Sequence, residues 1–187
     1  VRANPMNTLC PWRPPQAESL AKTLPSGIQW ESRFNPAGNR SSFDYGGGLV
    51  GRNDGAPISD SYATGTVSGG QSSHVGGLIG GNEGTISFSY STGVVSGEAG
   101  SFIGGLIGDD ESQSGSLDDT YWDTDTSGIT NLNQGAGNIA NDPGITGLTT
   151  VQFQSGLPAG FDPKVWAEKA NLNGGLPYLL ANPPPRR

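Results

Sequence analysis

The feature that most constrains this chain is a block that recurs. Gly47-Gly48-Leu49-Val50-Gly51 returns as Gly76-Gly77-Leu78-Ile79-Gly80 and again as Gly104-Gly105-Leu106-Ile107-Gly108, at offsets of 29 and 28 residues. A second stretch lies between the blocks. The run from Ile58 to Gly69, Ile-Ser-Asp-Ser-Tyr-Ala-Thr-Gly-Thr-Val-Ser-Gly, matches the run from Ile86 to Gly97 at an offset of 28, which makes Pro57 a single-residue insertion. A third, degraded copy runs from Gly115 to Tyr121, after roughly three inserted residues. Repeats of this length are the signature of solenoids, propellers or arrays.

The unit is too short for a propeller blade, which takes four strands and about 40 residues. Ile58 and Tyr62, like Ile86 and Tyr90, stand four apart with small polar residues between, which is strand periodicity. Val67 and Val95 each follow a Thr-Gly step, and the Leu residues sit in Gly-bounded runs. About three short strands per unit result, joined by turns such as Asn53-Asp54-Gly55 and Asn82-Glu83-Gly84. The expected fold is all-β: a right-handed parallel β-helix (β-solenoid) of about three coils of roughly 28 residues, with a mixed C-terminal cap. Stacked coils would build interior columns of Leu49, Leu78 and Leu106; of Ile58, Ile86 and Leu117; of Tyr62, Tyr90 and Tyr121; of Val67 and Val95; and of Val75 and Ile103.

Four zones follow. Residues 1–45 read as an irregular N-terminal segment with one short helix over Gln16–Leu24, started by Pro15 and stopped by Pro25 and Gly27. Residues 46–122 are the solenoid repeats. Residues 123–182 read as a capping module over the solenoid's open end, where an uncovered edge would leave strands unpaired. In it, Thr149–Gly156 has the signals of a short helix with a Thr cap, Asp162–Lys169 those of a second with Asp162 at the cap and Pro163 next, and Leu176–Leu180 those of an extended segment. Residues 183–187 read as a disordered tail.

Charge narrows the partners. The net charge is −7, and between Gly46 and Trp122 one basic residue, Arg52, stands against nine acidic ones. A duplex binder shows a basic patch, so nucleic acid and anionic lipid are poor candidates. Charged residues make up only 14 %, which argues against disorder driven by charge. The single cysteine, Cys10, allows no internal disulfide. No apolar run is long enough to span a membrane. The first ten residues lack a charged region followed by an apolar stretch, and an interior piece of a longer chain is the expected reading.

The unit Gly-Gly-Leu-(Val/Ile)-Gly-x-Asn-x-Gly, at Gly47–Gly55 and Gly76–Gly84, followed by the Ile58–Gly69 and Ile86–Gly97 runs, resembles the GLUG motif. The stretches Tyr121–Gly128, Gly147–Thr150, Gly160–Asp162 with Trp166, and Leu176–Leu179 resemble the segment that closes GLUG arrays. The likeness covers about residues 46–182. The third copy departs from it, with Asp110 in place of the Asn. The resemblance implies a large exported bacterial protein, either a filamentous-haemagglutinin-like adhesin of two-partner secretion or a secreted protease that cleaves immunoglobulin A. In both, the array is stalk or presentation structure. It further implies a secreted or cell-surface location, an outer-membrane secretion transporter for the parent protein, and host-cell or matrix glycans or proteins as partners.

Residues able to do chemistry are few. The only histidine, His74, falls in the variable turn Gly70–His74 and reads as a solvated loop residue; Cys10 reads as an incidental thiol. One His and one Cys do not make a usual zinc site. Paired carboxyls could cleave polysaccharide, and Asp109, Asp110 and Glu111 with Asp118 and Asp119 are the candidates. Both runs lie in the degraded copy and read chiefly as solvated acidic loops. Asp123-Thr124-Asp125-Thr126-Ser127-Gly128 opens like a calcium loop, but its twelfth position is Gln134 and not the bidentate Glu required; the leading reading is an Asx turn that closes the last coil. No catalytic, cofactor-binding or metal residue is therefore assigned and no cofactor is expected. The expected function is a non-enzymatic structural or adhesive module presenting turns such as Gly70–His74 and Glu98–Ser101. The alternatives are a polysaccharide-cleaving solenoid and a non-catalytic segment of a large secreted protease.

Overall fold

The structure, a computed structural model, describes residues 28–29, 44–113 and 115–184. Cys10, the helix expected over Gln16–Leu24 and the end of the tail, 185–187, lie outside the described residues.

A short strand, β1 (Ile28–Gln29), precedes the repeats. The first coil holds β2 (Tyr45–Gly47), β3 (Val50–Asn53), β4 (Ile58–Ser59), β5 (Tyr62–Ala63) and β6 (Val67–Gly69). The second holds β7 (His74–Gly76), β8 (Ile79–Asn82), β9 (Ile86–Ser91) and β10 (Val95–Gly97). The third holds β11 (Phe102–Gly104), β12 (Ile107–Asp110) and β13 (Leu117–Asp123). Equivalent strands pair in parallel from coil to coil, so the fold is an all-β parallel solenoid. β1 lies antiparallel on β3 at the N-terminal edge of one of the sheets.

The registers match the repeat. Asn53 pairs with Asn82, whereas Ile58 pairs with Ile86, so the residue inserted in the first coil sits in the turn that holds Pro57. Ile107 pairs with Ile79, but Leu117 pairs with Ile86, which places the later insertion between β12 and β13.

Three differences from the expected fold have physical causes. First, each complete coil runs through four sheets, not three strands. The chain bends at Gly48-Leu49 and at the same place in later coils, splitting the Gly-Gly-Leu block into two strands. The bend turns two successive residues inward, so Val50, Ile79 and Ile107 join Leu49, Leu78 and Leu106 in one core with Ile58, Ile86 and Leu117. Each fully buried aliphatic chain contributes roughly 1.5–3 kcal/mol. Glycine is required at these corners: a Cβ on Gly76 or Gly108 would strike the backbone of the neighbouring strand or coil.

Second, the tyrosine column is not in that core. Asp60, Phe88 and Asp119 stand at equivalent positions and all have φ of 47°. One left-handed residue shifts the strand's alternation by one. Ile58 therefore faces in while Tyr62 faces out, and Ala63, Ser91 and Trp122 take the interior positions instead. Tyr90 and Tyr121 instead join Phe153, Phe161 and Trp166 in a second, aromatic core.

Third, there are about four turns, not three. Gly105 and Leu106 donate to the carbonyls of Gln134 and Gly135, Ala136 bridges Ile107, and β14 (Ile145–Leu148) pairs in parallel with β13. This fourth turn, 129–148, closes the end of the solenoid. The segment after it lies along the side of the first three coils. It contains α1 (Thr150–Phe153), β15 (Trp166–Ala167) and β16 (Tyr178–Leu179). Thr149 caps α1, as the sequence suggests, and Gln152 bonds back to it to complete a capping box. The helix expected over Asp162–Lys169 is a single turn, with Val165 and Trp166 donating to the carbonyl of Asp162, after which β15 pairs antiparallel with β16. A segment this short does not offset helix nucleation, whereas extending lets Trp166 reach the aromatic core.

Candidate functional site

Residues with chemistry gather where the sheet of β2, β7 and β11 meets that of β3, β8 and β12. Tyr45, His74 and Phe102 occupy equivalent positions on successive strands and form one column of rings, with centroids 4.8 and 5.2 Å apart. Arg52, Gly81 and Asp109 form the facing column. The Tyr45 ring covers Gly81, and one turn along, His74 meets Asp109, with Nδ1 2.7 Å from Oδ2.

His74 is therefore not a solvated loop residue. It is 6 % exposed, opens β7, and ties the second coil to the third. Repeat alignment could have found it, because His74 takes the place of Tyr45 and Phe102. Its partner was not legible, since the contact joins non-equivalent columns of different coils.

Arg52 organises the outer edge. It donates to Asp54 (2.6 Å), to the Tyr45 hydroxyl (2.6 Å) and to Glu83, and stands 3.9 Å from Glu111. The hydrogen bond to Asp54 chiefly raises its already high pKa, against a partly opposing desolvation. These side chains are more than a third exposed, so each pair is worth little individually.

Beneath the next corner runs an amide ladder. Asn53 donates to Asn82 Oδ1 (2.9 Å), and Asn82 donates to Asp110 Oδ1 (2.9 Å). Asn138 of the fourth turn brackets the backbone of Asp110, accepting from its N–H and donating to its carbonyl, both at 2.9 Å. The asparagines read in the sequence as turn formers are thus buried rungs that also hold their turns, as Asn53 Oδ1 accepts from Ala56 N. Replacing Asn82 by Ala removes the middle rung and is expected to cost about 1–3 kcal/mol by urea unfolding. A loss under about 0.5 kcal/mol would mark the ladder as incidental to stability.

The five acids do not share a face. Asp109 and Asp110 lie in β12, buried against His74 and in the ladder, not in a solvated loop. Glu111 is exposed beside Arg52. Asp118 and Asp119 lie in β13, in a different sheet; Asp118 is exposed, and Asp119 accepts from the Tyr121 hydroxyl at 3.4 Å.

Asp123 forms the Asx turn. Its Oδ1 accepts from Asp125 N and Thr126 N, its Oδ2 from Thr150 Oγ1, and Asp125 Oδ2 from Thr150 N. The carboxyls thus anchor the start of α1. Among the described residues no group of three or more His, Cys, Asp or Glu is placed to hold a metal ion. No helix among them is long and apolar enough to cross a membrane.

The two turns expected to vary stack on each other. Ser72 N donates to Ala99 O (3.3 Å), Ser73 N to Ser101 Oγ (3.1 Å), and Ser101 Oγ to Gly70 O (2.9 Å). Gln71, Ser72, Glu98, Ala99 and Gly100 are exposed along this edge, next to Phe102, which is 44 % exposed.

A repeat solenoid is what fold and ladder together define. Comparison with known protein families matches the GLUG motif at residues 45–68, which covers the first coil. The chain is accordingly a repeat protein bearing a GLUG motif. No curated protein and no solved structure matches it.

Proposed function

We propose that this chain is a segment of a large exported bacterial surface protein, in which the solenoid is a stiff stalk that presents its stacked turns for attachment to host-cell or matrix glycans or proteins. It is not an enzyme in this reading, and the parent protein leaves the cell through an outer-membrane transporter. The GLUG motif and the solenoid support a repeat module of a larger protein. The observation that carries the adhesive part is the stacked edge Gly70–Ser73 over Glu98–Ser101, whose backbones are held coil to coil while Gln71, Ser72 and Glu98 stay exposed. Parallel coils repeat every 4.8 Å or so, so such an edge offers polar groups at a fixed spacing to an extended ligand.

The full chain applied to an array of glycans and extracellular-matrix proteins, followed by product analysis of each glycan, tests this. Retention with intact glycans, weakened by substitutions at Gln71 or Glu98, is the expected result. Shortened glycans would overturn it in favour of polysaccharide cleavage, and no retention would leave a stalk without an adhesive role.

A further inference from the structure

Two Asp-Pro bonds stand in the chain, Asp142–Pro143 and Asp162–Pro163. Such a bond has a built-in route to cleavage. The proline nitrogen is a tertiary amide without an N–H, so it takes up a proton and departs more readily than an ordinary peptide nitrogen. The aspartate carboxyl reaches its own backbone carbonyl carbon by closing a five-membered ring. The fold treats the two bonds differently. Asp162 is exposed, and its Oδ1 is taken up by Lys164 N (2.8 Å). Asp142 is 9 % exposed, and its Oδ2 is buried without a hydrogen-bond partner. Burial foremost pushes this carboxyl up to about 7, so much of it keeps its proton near neutrality.

The Asp142–Pro143 bond is also held from both sides. Upstream, Asn141 N donates to Asn133 O (2.9 Å), and Asn141 has a left-handed φ of 57°. Downstream, Pro143 and Gly144 are the centre of a β-turn in which Ile145 N donates to Asp142 O (3.3 Å) and Gly144 has φ of 89°. Gly144 O accepts from Thr120 N (3.1 Å) and Thr120 Oγ1 (2.7 Å), and β14, paired with β13, starts at the next residue. The carbonyl open to attack is thus fixed in place and polarised by the Ile145 N–H. Asp162 O likewise accepts from Val165 N and Trp166 N, so the carbonyl does not separate the two bonds; the buried, unpartnered carboxyl does.

We propose that Asp142 cleaves its own peptide bond to Pro143, a single event per chain. A side-chain oxygen of Asp142 bonds to its backbone carbonyl carbon. The C–N bond to Pro143 breaks, and the carboxyl proton passes to the proline nitrogen, which leaves as a secondary amine. Water opens the cyclic anhydride left on Asp142, restoring the side-chain carboxyl and creating a new chain end. The net change is hydrolysis of one bond. The fragments 1–142 and 143–187 stay together through the pairing of β13 with β14 and through the aromatic core, so the fourth turn is cut without being released.

Mass spectrometry of the full chain, held folded at pH 6 for several days and then denatured, reads the cut. Fragments ending at Asp142 are expected to exceed those ending at Asp162 by about tenfold or more. In a sample kept in urea throughout, where neither carboxyl is buried, the two bonds are expected to break alike. Asp142→Asn is expected to lose the cut after residue 142, and Asp162→Asn to keep it. No cut in the folded chain, or equal cutting at the two bonds, would overturn the proposal. A cut that survives in Asp142→Asn would also overturn it, since a contaminating protease would then be responsible. Should Asp142→Asn fail to fold, the wild type decides: an excess at Asp142 that disappears in urea supports self-cleavage by the folded chain, and an excess that persists there overturns it.

Discussion

Trp122→Ala is expected to be among the most damaging single changes, costing about 3–5 kcal/mol by urea unfolding. Trp122 is fully buried, and it fills the interior where the last coils converge. A Cβ on Gly105 would land within its indole, and Gly135 and Gly147 also lie against the ring. The equivalent interior positions of earlier coils are Ala63 and Ser91, packed beneath Gly48 and Gly77. The array thus ends on a large side chain set among glycines. The same packing sets a sharper expectation. Gly105→Ala should destabilise the wild type but be tolerated beside Trp122→Ala, where the space is vacant. Gly105 has no left-handed φ that would penalise alanine by itself. A double-mutant cycle measures this coupling; additive costs would show that Trp122 and Gly105 do not share the space as described.

Trp166→Ala should cost a similar amount, about 3–5 kcal/mol, by a different route. Trp166 is 1 % exposed, packs 4.6 Å from Phe161 and about 6 Å from Tyr62 and Tyr90, and donates from Nε1 to Asp60 Oδ1 at 3.0 Å. It therefore ties the C-terminal segment to the first coil. Tyr90 donates to Pro177 O and accepts from Asn173, and Tyr121 donates to Ala159 O, which tie the next two coils to the same segment. Burial raises the hydroxyl pKa values of Tyr62 and Tyr90, and burial followed by Asp119 pushes Tyr121 up to about 12. The folded values exceed the usual ~10. Their contribution is therefore complete below about pH 10 and is lost as pH rises through the folded values. Absorbance titration should show these tyrosines ionising late in the wild type and nearer pH 10 in Trp166→Ala. Wild-type-like titration of the variant would mean that the segment stays docked without its tryptophan.

The phase shift at Asp60, Phe88 and Asp119 makes this docking possible. A bulky residue such as Phe88 at φ 47° is strained, yet it lies against the aromatic core. The left-handed step turns Tyr62, Tyr90 and Tyr121 outward as a column for the segment to cover. Sequence periodicity alone put those tyrosines inside with the isoleucines, because alternation counts residues and takes no account of a left-handed one.

The candidate site was legible in the same uneven way. Asp123 as an Asx turn follows from a local pattern of side chain to backbone bonds, and the sequence carries it. The pairing of His74 with Asp109 does not follow, since it joins residues that no period relates. Asp109 and Asp110 read as solvated because charged residues are seldom buried unless paired, and the pairing is a property of the assembled coils.

What the chain determines by itself is the repeat: its parallel stacking, its registers with their two insertions, its leucine and isoleucine columns, and the helix cap at Thr149. These rest on local turn chemistry and on an apolar face that one coil cannot bury alone. Only the tertiary structure decided the fourth turn, the outward tyrosines, the lateral course of the C-terminal segment and the pairing of His74 with Asp109. The fourth turn is the clearest case. Gly135-Ala136-Gly137 lacks the leucine that marks the other coils: a side chain on Gly135 would strike Ile145 first and the indole edge of Trp122, from the turn before, next, so that volume is already filled. An interior shared between turns lets one residue stand in for another, and no repeat pattern records such an exchange.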